Sequence, residues 1–178
     1  TIKSYEIGAK TTWFDGRLTA NLSLFRMDYS DLQVRIYEPS AASFAIRNAG
    51  SARDDGLELE LTARPVHGLT LGAAYAYQDA KYRNYIIQNR PPTPPTNYSG
   101  NHMVQTPKHQ LSLSGDMRLP GPDGSRFQLG GNVLFRSKLW FNDSNLDPGY
   151  VHNRTKVNGL LNLNAKWISS NERWEVAF

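Results

Sequence analysis

An all-β chain, folded as an antiparallel meander of about eight strands, is what this sequence predicts, and three observations carry the prediction. Apolar and polar residues alternate one for one through segment after segment, the pattern of strands whose side chains point to opposite faces in turn. Turns rich in Gly, Pro, Asp and Asn separate those segments. No stretch keeps a helical period over a useful length.

The clearest strand lies within residues 48–64, NAGSARDDGLELELTAR. Leu57, Leu59, Leu61 and Ala63 fall on one face, and Glu58, Glu60, Thr62 and Arg64 on the other. Gly56 and the Asp54-Asp55 pair precede the alternation, where a bulge, a bend or a close backbone approach is expected.

From the start of the chain, residues 4–13 set Tyr5, Ile7, Ala9, Thr11 and Trp13 opposite Glu6, Gly8, Lys10 and Thr12. Asp15-Gly16 is a hairpin dipeptide, because glycine accepts positive φ at no steric cost. A second strand starts at Arg17 with Leu18, Ala20, Leu22 and Leu24 on one face. Its alternation blurs over residues 25–30, the mark of a bulge or phase slip, and resumes at Leu32, Val34 and Ile36. A single strand of about 20 residues is far longer than the usual ~5–6 and fits one that extends beyond a membrane. Residues 38–43 form a modest loop and residues 65–68 a turn. The next strand, residues 69–82, aligns Leu69, Leu71, Ala73, Tyr75 and Tyr77. Residues 83–106, containing PPTPP, are a polar excursion whose composition permits either an ordered binding loop or a floppy one. Pro107 opens a fifth strand with His109, Leu111, Leu113, Met117 and Leu119 on one face, and PGPDG at 120–124 closes it. Phe127, Leu129, Val133 and Phe135 mark a sixth strand, and a second long polar segment spans 141–154. Val157, Leu161, Leu163, Ala165 and Trp167 mark a seventh strand; a short turn, residues 169–172, precedes Trp174, Val176 and Phe178, which start an eighth.

Composition narrows the class. The 178 residues include no cysteine, which excludes disulfides, thiolate metal sites and cysteine nucleophiles. Mean hydropathy is −0.54 and no apolar run approaches the ~18 residues of a membrane-spanning helix. A transmembrane barrel stays open, because its apolar residues are diluted by polar ones. The net charge of +4 is spread along the chain, with no Lys/Arg block that would mark a nucleic-acid surface. None of His67, His102, His109 and His152 sits in a nucleophile or zinc spacing, so no enzyme, cofactor or metal site is expected. Asp54-Asp55 with Glu58 and Glu60 admit a cation site, but a polar row paired with arginines such as Arg64 and Arg118 is the plainer reading. The chain begins at Thr1 with no apolar leader before Tyr5, as expected of a mature form or an internal fragment.

Two regularities select the membrane barrel over a soluble β-sandwich. Connections alternate short and long, as periplasmic turns and extracellular loops do. Aromatics gather near strand ends (Trp13, Phe14, Tyr82, Trp140, Phe141, Trp167, Trp174), which fits interfacial girdles.

These segments together resemble the C-terminal barrel of TonB-dependent outer-membrane receptors. SYEIGAKTTWFDGRL at 4–18 is similar to that family's strand–turn–strand, and FRMDYSDLQ at 25–33 to its aromatic-rich strand. NAG at 48–50 followed by GLELEL at 56–61 is the most recognisable signature; Pro107-Lys108-His109 opening a strand and WEVAF at 174–178 also match. Each motif alone is weak, and their order and spacing carry the likeness.

The resemblance implies that residues 1–178 are part of a barrel of about 22 strands, with the plug domain, early strands and closing strand elsewhere. The short first connection points the same way, since a complete small barrel starts on the periplasmic side and turns first through a long loop. A complete eight-stranded barrel ending at Phe178, with a structural or passive-pore role, is the alternative. The implied function is energy-coupled uptake of a scarce solute across the outer membrane of a Gram-negative bacterium. A ferric-siderophore type of iron chelate is the commonest solute of such receptors, and a carbohydrate or aromatic solute the runner-up. Implied partners are outer-membrane lipid and, through the plug, the inner-membrane protein TonB. Ligand contacts are expected in the loops: Arg83, Arg90 and Arg154 for anionic chelates, Tyr82, Tyr85, Tyr98 and Tyr150 for stacking, and His102. For any one tyrosine, bracing the loop is the plainer role. Glu58, Glu60 and Arg64 are expected to face the lumen, and Leu57, Leu59 and Leu61 the lipid.

Overall fold

A computed structural model of the chain describes residues 1–38, 43–48, 50–89, 91–146 and 158–178. Twelve strands are assigned, with no helix among the described residues. Eight of them form one antiparallel sheet in chain order: β1 (Ile2–Trp13), β2 (Leu18–Ser30), β5 (Ser51–Ala63), β6 (Leu69–Asn84), β9 (His109–Pro120), β10 (Arg126–Arg136), β11 (Asn158–Ile168) and β12 (Glu175–Ala177). The two small hairpins β3 (Gln33–Glu38) with β4 (Ser43–Asn48), and β7 (Ile86–Ile87) with β8 (Thr96–Asn97), lie within connections of the meander. β1 and β12 are the sheet's two edges and do not pair with each other, so the sheet is open and the complete eight-stranded barrel is not the arrangement found.

All the short turns fall at one end of this sheet. Phe14, Asp15 and Gly16 take positive φ in the first, Gly68 in the second, Gly124 in the third and Glu172 in the fourth. In the third turn the Asp123 carboxylate accepts the Ser125 N–H at 3.0 Å, and that bond with the Ser125 hydroxyl holds its pKa below the ordinary value. The two small hairpins and the described part of the connection after β10, residues 137–146, fall at the other end.

The predicted 20-residue strand is two strands. Asp31 adopts φ 58, a left-handed conformation that aspartate tolerates, and turns the chain out of the sheet. Asp31 N–H and Leu32 N–H both donate to the Gly50 carbonyl, at 2.8 and 3.4 Å, pinning the base of the β3–β4 excursion. The predicted slip over 25–30 is absent: β2 pairs with β5 without interruption from Leu18↔Ala63 to Ser30↔Ser51. The register irregularity lies instead between Ser51 and Ala52, against β6. The alternation blurs because the chemistry of the two faces exchanges there while their phase does not. Arg26 and Asp28 continue the face of Leu22 and Leu24; Phe25, Met27 and Tyr29 continue that of Asn21 and Ser23.

Gly56 marks a close approach. A Cβ at this position would stand 2.2 Å from the Phe25 ring and 2.6 Å from the Tyr77 carbonyl oxygen. Glycine therefore lets the Phe25 ring lie over the backbone of the central strand.

Across β1, β2, β5 and β6 the leucine face is apolar except at Thr11 through four rows of cross-strand neighbours, from Trp13–Leu18–Ala63–Leu71 to Ile7–Leu24–Leu57–Tyr77. Much of this face is open: Ile7 is 72% exposed, and Leu163, on the same face in β11, is 74% exposed. The buried hydrophobic residues are few and lie elsewhere: Ala52, Ala80, Tyr82 and Tyr85, all toward the long-loop end. A sheet that keeps its core at one rim and leaves aliphatics bare along its length has the burial pattern of a wall, not of a globular domain. Tyr82 belongs to that rim core. At the long-loop end the aromatics on the leucine face include Tyr5, Tyr75, Tyr77 and Phe135, with the Tyr75 hydroxyl 2.8 Å from His109 Nδ1.

Candidate functional site

The long-loop end holds a packed unit assembled from two connections that are far apart in sequence. After Asn84 the chain passes through the β7–β8 hairpin and returns along the edge of β6. Tyr98 N–H donates to Tyr85 O at 2.8 Å, Gly100 N–H to Tyr82 O at 2.8 Å, and Met103 N–H to Ala80 O at 3.0 Å. The 83–106 excursion, open between ordered and floppy from its composition, is ordered in its described residues. Tyr82, Tyr85 and Tyr98 meet edge to face, with centroids 4.8 and 5.2 Å apart. Leu32 and Val34 from the 31–50 excursion pack against the same cluster, as do Ile87 and Met103.

Asp143, in the connection after β10, fastens this unit. Its carboxylate accepts the Tyr82 hydroxyl at Oδ1, 2.5 Å, and the Tyr85 hydroxyl at Oδ2, 2.9 Å, while its backbone carbonyl accepts Asn101 Nδ2 at 2.8 Å. Asn145 adds a second tie, accepting the His102 N–H at 2.6 Å and donating its Nδ2 to the His102 carbonyl at 3.1 Å. Burial, then the nearby Asp143 charge, hold the Tyr85 hydroxyl above the ordinary tyrosine pKa. It stays a donor throughout the neutral range.

The tyrosines expected to stack on a ligand therefore divide. Tyr82 and Tyr85 are 2% and 1% exposed, with both hydroxyls engaged, and they brace the loops. Tyr98 is half-buried at the edge of the cluster. Arg83 is exposed and makes no ion pair among the described residues. His102 keeps about a third of its side chain open, with Nδ1 4.0 Å from Asp79 Oδ1. Burial, followed by the Lys81 charge, pushes its pKa below the ordinary histidine value, so the ring is neutral at pH 7. Arg90, Tyr150 and Arg154 lie outside the described residues.

Glu58 and Glu60 are exposed on the face opposite the leucines. Glu60 Oε2 accepts Asn21 Nδ2 at 3.4 Å, and neither glutamate meets an arginine among the described residues. Among the described residues the carboxylates that do find arginines are Asp55, with Arg26, Asp28, with Arg53, and Glu172, with Arg126 at the short-turn end. Asp54 and Asp55 are consecutive in a strand and so project to opposite faces, which removes the geometry for a shared cation. No group of three or more ligating side chains capable of holding a metal occurs among the described residues. Arg64 lies at the other end of the sheet, where it lines a 970 Å³ concavity with Arg17, His67, Arg118, Asp116 and Lys166. None of the loop residues borders that concavity, which occupies the short-turn end of the polar face.

Sequence reading missed Asp143, Asn101 and Asn145. Asp143 sits about sixty residues from the tyrosines it holds, and nothing in an Asn-Asp-Ser-Asn run distinguishes a clamp from any polar loop.

An open antiparallel sheet with one apolar face, short turns at one end and interlocked loops at the other defines a segment of a transmembrane β-barrel wall. Solved structures share this fold. The ferric preacinetobactin receptor BauA of Acinetobacter baumannii superposes with a TM-score of 0.69 at 20% identity, over 99% of this chain and 24% of that one. The ferric citrate transporter FecA, in unliganded form, superposes with a TM-score of 0.66 at 19% identity, over 93% of this chain and 23% of that one. In sequence, the chain is 32% identical over 120 residues to the ferric-pyoverdine M114 receptor PbuA of Pseudomonas sp. (strain M114), a match covering 67% of this chain and 14% of that protein. It is 25% identical over 154 residues to PiuA of Acinetobacter baumannii, a probable TonB-dependent siderophore receptor, covering 84% of this chain and 19% of that protein. The family model for the TonB-dependent receptor-like β-barrel matches residues 1–178. The chain belongs to the TonB-dependent receptor β-barrel family. It spans less than a fifth of the length of these two relatives.

Proposed function

We propose that this chain is part of the wall and outer loops of a Gram-negative outer-membrane receptor that imports a metal–siderophore complex, driven through TonB. The observation that carries the reading is the sidedness of the sheet. Its apolar face suits lipid, its Asn-, Ser- and Glu-bearing face suits a lumen, and its loops are packed against one another only at the end opposite the short turns. Metal-chelate uptake is favoured over carbohydrate or aromatic solutes because the relatives bear names such as ferric-pyoverdine receptor and metal-pseudopaline receptor. On this reading the chain works within a larger barrel that also holds a plug, because an open sheet encloses no lumen and leaves unpaired edges.

Within the loops, Arg83, Tyr98 and His102 are the described residues assigned to ligand contact on this reading, with Arg90, Tyr150 and Arg154 as further candidates. Tyr82, Tyr85 and Asp143 hold the platform that presents them. Glu58 and Glu60 line the lumen above Arg64. An arginine, a neutral imidazole and an aromatic ring are groups that suit an anionic chelate with planar parts.

Deleting the gene that encodes this chain and growing the strain on a panel of single iron sources tests the proposal. Loss of growth on one ferric siderophore, restored by the gene in trans, is the expected result. Undiminished growth on every iron chelate, or an encoded protein with no plug domain, refutes it.

A further inference from the structure

On the face opposite the leucines, the row that adjoins the loop core is Met27–Asp54–Ala80. Among the described residues Asp54 is the one buried carboxyl: it is 7% exposed, and its Oδ1 is enclosed with no hydrogen-bond partner. Buried polar groups are almost always hydrogen-bonded, and a carboxylate shut away from water without a partner is neutralised by taking a proton.

Its neighbours on that face are apolar. Ala52, of the loop core, stands two residues before it, and Gly56, under the Phe25 ring, two residues after. Met27 and Ala80 flank it on the adjoining strands, and the Ala80 carbonyl accepts the Met103 N–H at 3.0 Å, which brings a residue packed on the loop core to the same level.

No cation faces Asp54 among the described residues. On its own strand the next charged side chain of that face is Glu58, beyond Gly56. β1 presents Glu6, two strands away, and β2 presents Tyr29, whose hydroxyl meets Met27 Sδ at 3.3 Å. β6 presents neutral Gln78 and Tyr82, whose hydroxyl is held by Asp143. Arg26, Asp28, Arg53, Asp55, Asp79 and Lys81 belong to the leucine face, so the sheet separates them from Asp54. His102 lies opposite Lys81 on that same face, and Lys108 turns its Nζ toward Asp79 at 3.9 Å. Asp54 also stands beyond Ile7–Leu24–Leu57–Tyr77, the last apolar row of the leucine face, and so outside the hydrocarbon. Burial, followed by the like charges of Asp55 and Asp79, holds its pKa above the ordinary carboxylate value.

We propose that Asp54 makes the seating of the outer loops on the wall depend on a proton: the loops close over its neutral carboxyl and lift when it ionises. Water can reach the ionised group either by parting the sheet or by raising what adjoins it. The sheet is continuous at this level, with Asp54 paired to Met27 on one side and Ala80 on the other. The loop core is held by side-chain packing and by the two hydroxyl bonds to Asp143, and it is the part that opens first.

The sign follows from linkage. The seated loops hold one proton more than the lifted loops. Seating is therefore strongest below the ordinary carboxylate pKa of about 3.9. It weakens as pH rises, by at most about tenfold per unit, and levels off above the raised pKa. At neutral pH the loops carry this load and are poised to open. The inference goes beyond the uptake reading and holds whichever solute is carried.

The test is hydrogen–deuterium exchange of the complete receptor in detergent from about pH 4 to 7, corrected for intrinsic exchange. An H102Q background removes the His102 titration, which acts in the opposite sense. In that background, peptides spanning 25–30, 51–57 and 78–85 should open more as pH rises, at up to about tenfold per unit. D54N should show no slope in the same window and should be better protected at pH 7 by the whole factor the parent has lost. Peptides from β9 and β10 should be unaffected in both. D54S also lacks the titrating group, and because the slope is the readout it decides the matter where D54N fails to fold. A flat parent, or a slope that D54N and D54S retain, overturns the proposal. D54N less protected than the parent at pH 7 overturns it as well, since Asp54 would then be an ionised group held by a cation elsewhere in the receptor. Failure of the uptake reading is seen instead in growth on iron sources, and it leaves this measurement unaltered.

Discussion

Asp143→Ala should release the outer loops while leaving the sheet intact. The substitution removes the one carboxylate that accepts both the Tyr82 and Tyr85 hydroxyls and keeps the backbone carbonyl that accepts Asn101. A hydrogen bond to a charged group contributes about 1.5–3 kcal/mol, and a buried hydroxyl left unpaired costs about 1–3 kcal/mol. Both tyrosine rings are buried, so water reaches their hydroxyls only after the loop shifts. Taking the lower half of these ranges, because the loop can relax to admit water, gives a loss near 3 kcal/mol in the free energy of local opening. At 1.36 kcal/mol per decade, that is about a hundred-fold rise in opening.

Hydrogen–deuterium exchange of the refolded receptor in detergent reads this directly. Peptides spanning 82–106 and 140–146 should exchange about a hundred-fold faster in the variant, and peptides from β2, β5 and β10 at the parent rate. Asp143→Asn, which keeps one acceptor, should fall between. The cycle formed by Asp143→Ala, Tyr85→Phe and their double variant should show a coupling of about 1–3 kcal/mol. Exchange within three-fold of the parent in both peptides would refute the argument. The loops would then be held by the backbone bonds of 98–105 and by apolar packing alone.

Four further outcomes follow from the same geometry. Gly56→Ala places a Cβ against the Tyr77 carbonyl as well as the mobile Phe25 ring, so a cost of about 1–3 kcal/mol is expected; Phe25→Ala should rescue only part of it, read as the fraction of heat-modifiable barrel on a gel. Leu59→Lys should cost about 2–4 kcal/mol of folding into bilayers while Glu60→Gln costs little, and equal sensitivity of the two neighbours would contradict the assignment of faces. Neutral His102 is favoured by the folded loop, so protection of residues 98–105 should weaken as pH falls below about 6.5, after correction for intrinsic exchange, and His102→Gln should abolish that dependence. Protonated Tyr85 is likewise favoured by the fold, so the clamp should persist to about pH 10 and weaken above it, followed by the same exchange peptides.

The wall was legible because each of its determinants is local. Period-two alternation identified all eight strands of the sheet, and Asp15-Gly16, the turn before Leu69, PGPDG and the turn at 169–172 located the four short turns that join them. Fixed register then aligned the rows without further information, since consecutive strands in a meander are neighbours. The loops were not legible for the converse reason. Their order depends on Asp143 meeting Tyr82 and Tyr85 and on Leu32 and Val34 packing against the cluster of Ala52, Tyr82 and Tyr85, contacts between segments far apart in sequence. Tyrosine counts alone could not separate a braced ring from an offered one; burial did. Asp31 was overlooked because its left-handed turn interrupts the chain without a glycine to announce it.

The apparent phase slip at 25–30 joins these two domains of legibility. A slip would have sent every later side chain of the strand to the other face. The intact register shows that the faces exchange chemistry instead. Below this level the leucine face is apolar and the opposite face carries Asn21, Ser23, Glu58 and Glu60. Above it the leucine face carries Arg26, Asp28, Arg53 and Asp55, and the opposite face supplies Tyr29, Ala52, Ala80 and Tyr82 to the loop core. Each face is apolar only where it is covered, by hydrocarbon on one side and by the protein's own loops on the other, and each is charged or polar where water or head groups are available. An inversion of this kind has no use in a soluble sandwich, whose inner face must stay apolar from end to end. It follows in a wall that leaves the bilayer and is then roofed on its lumen side, so a blurred stretch in an otherwise strict alternation marks the height at which a strand emerges.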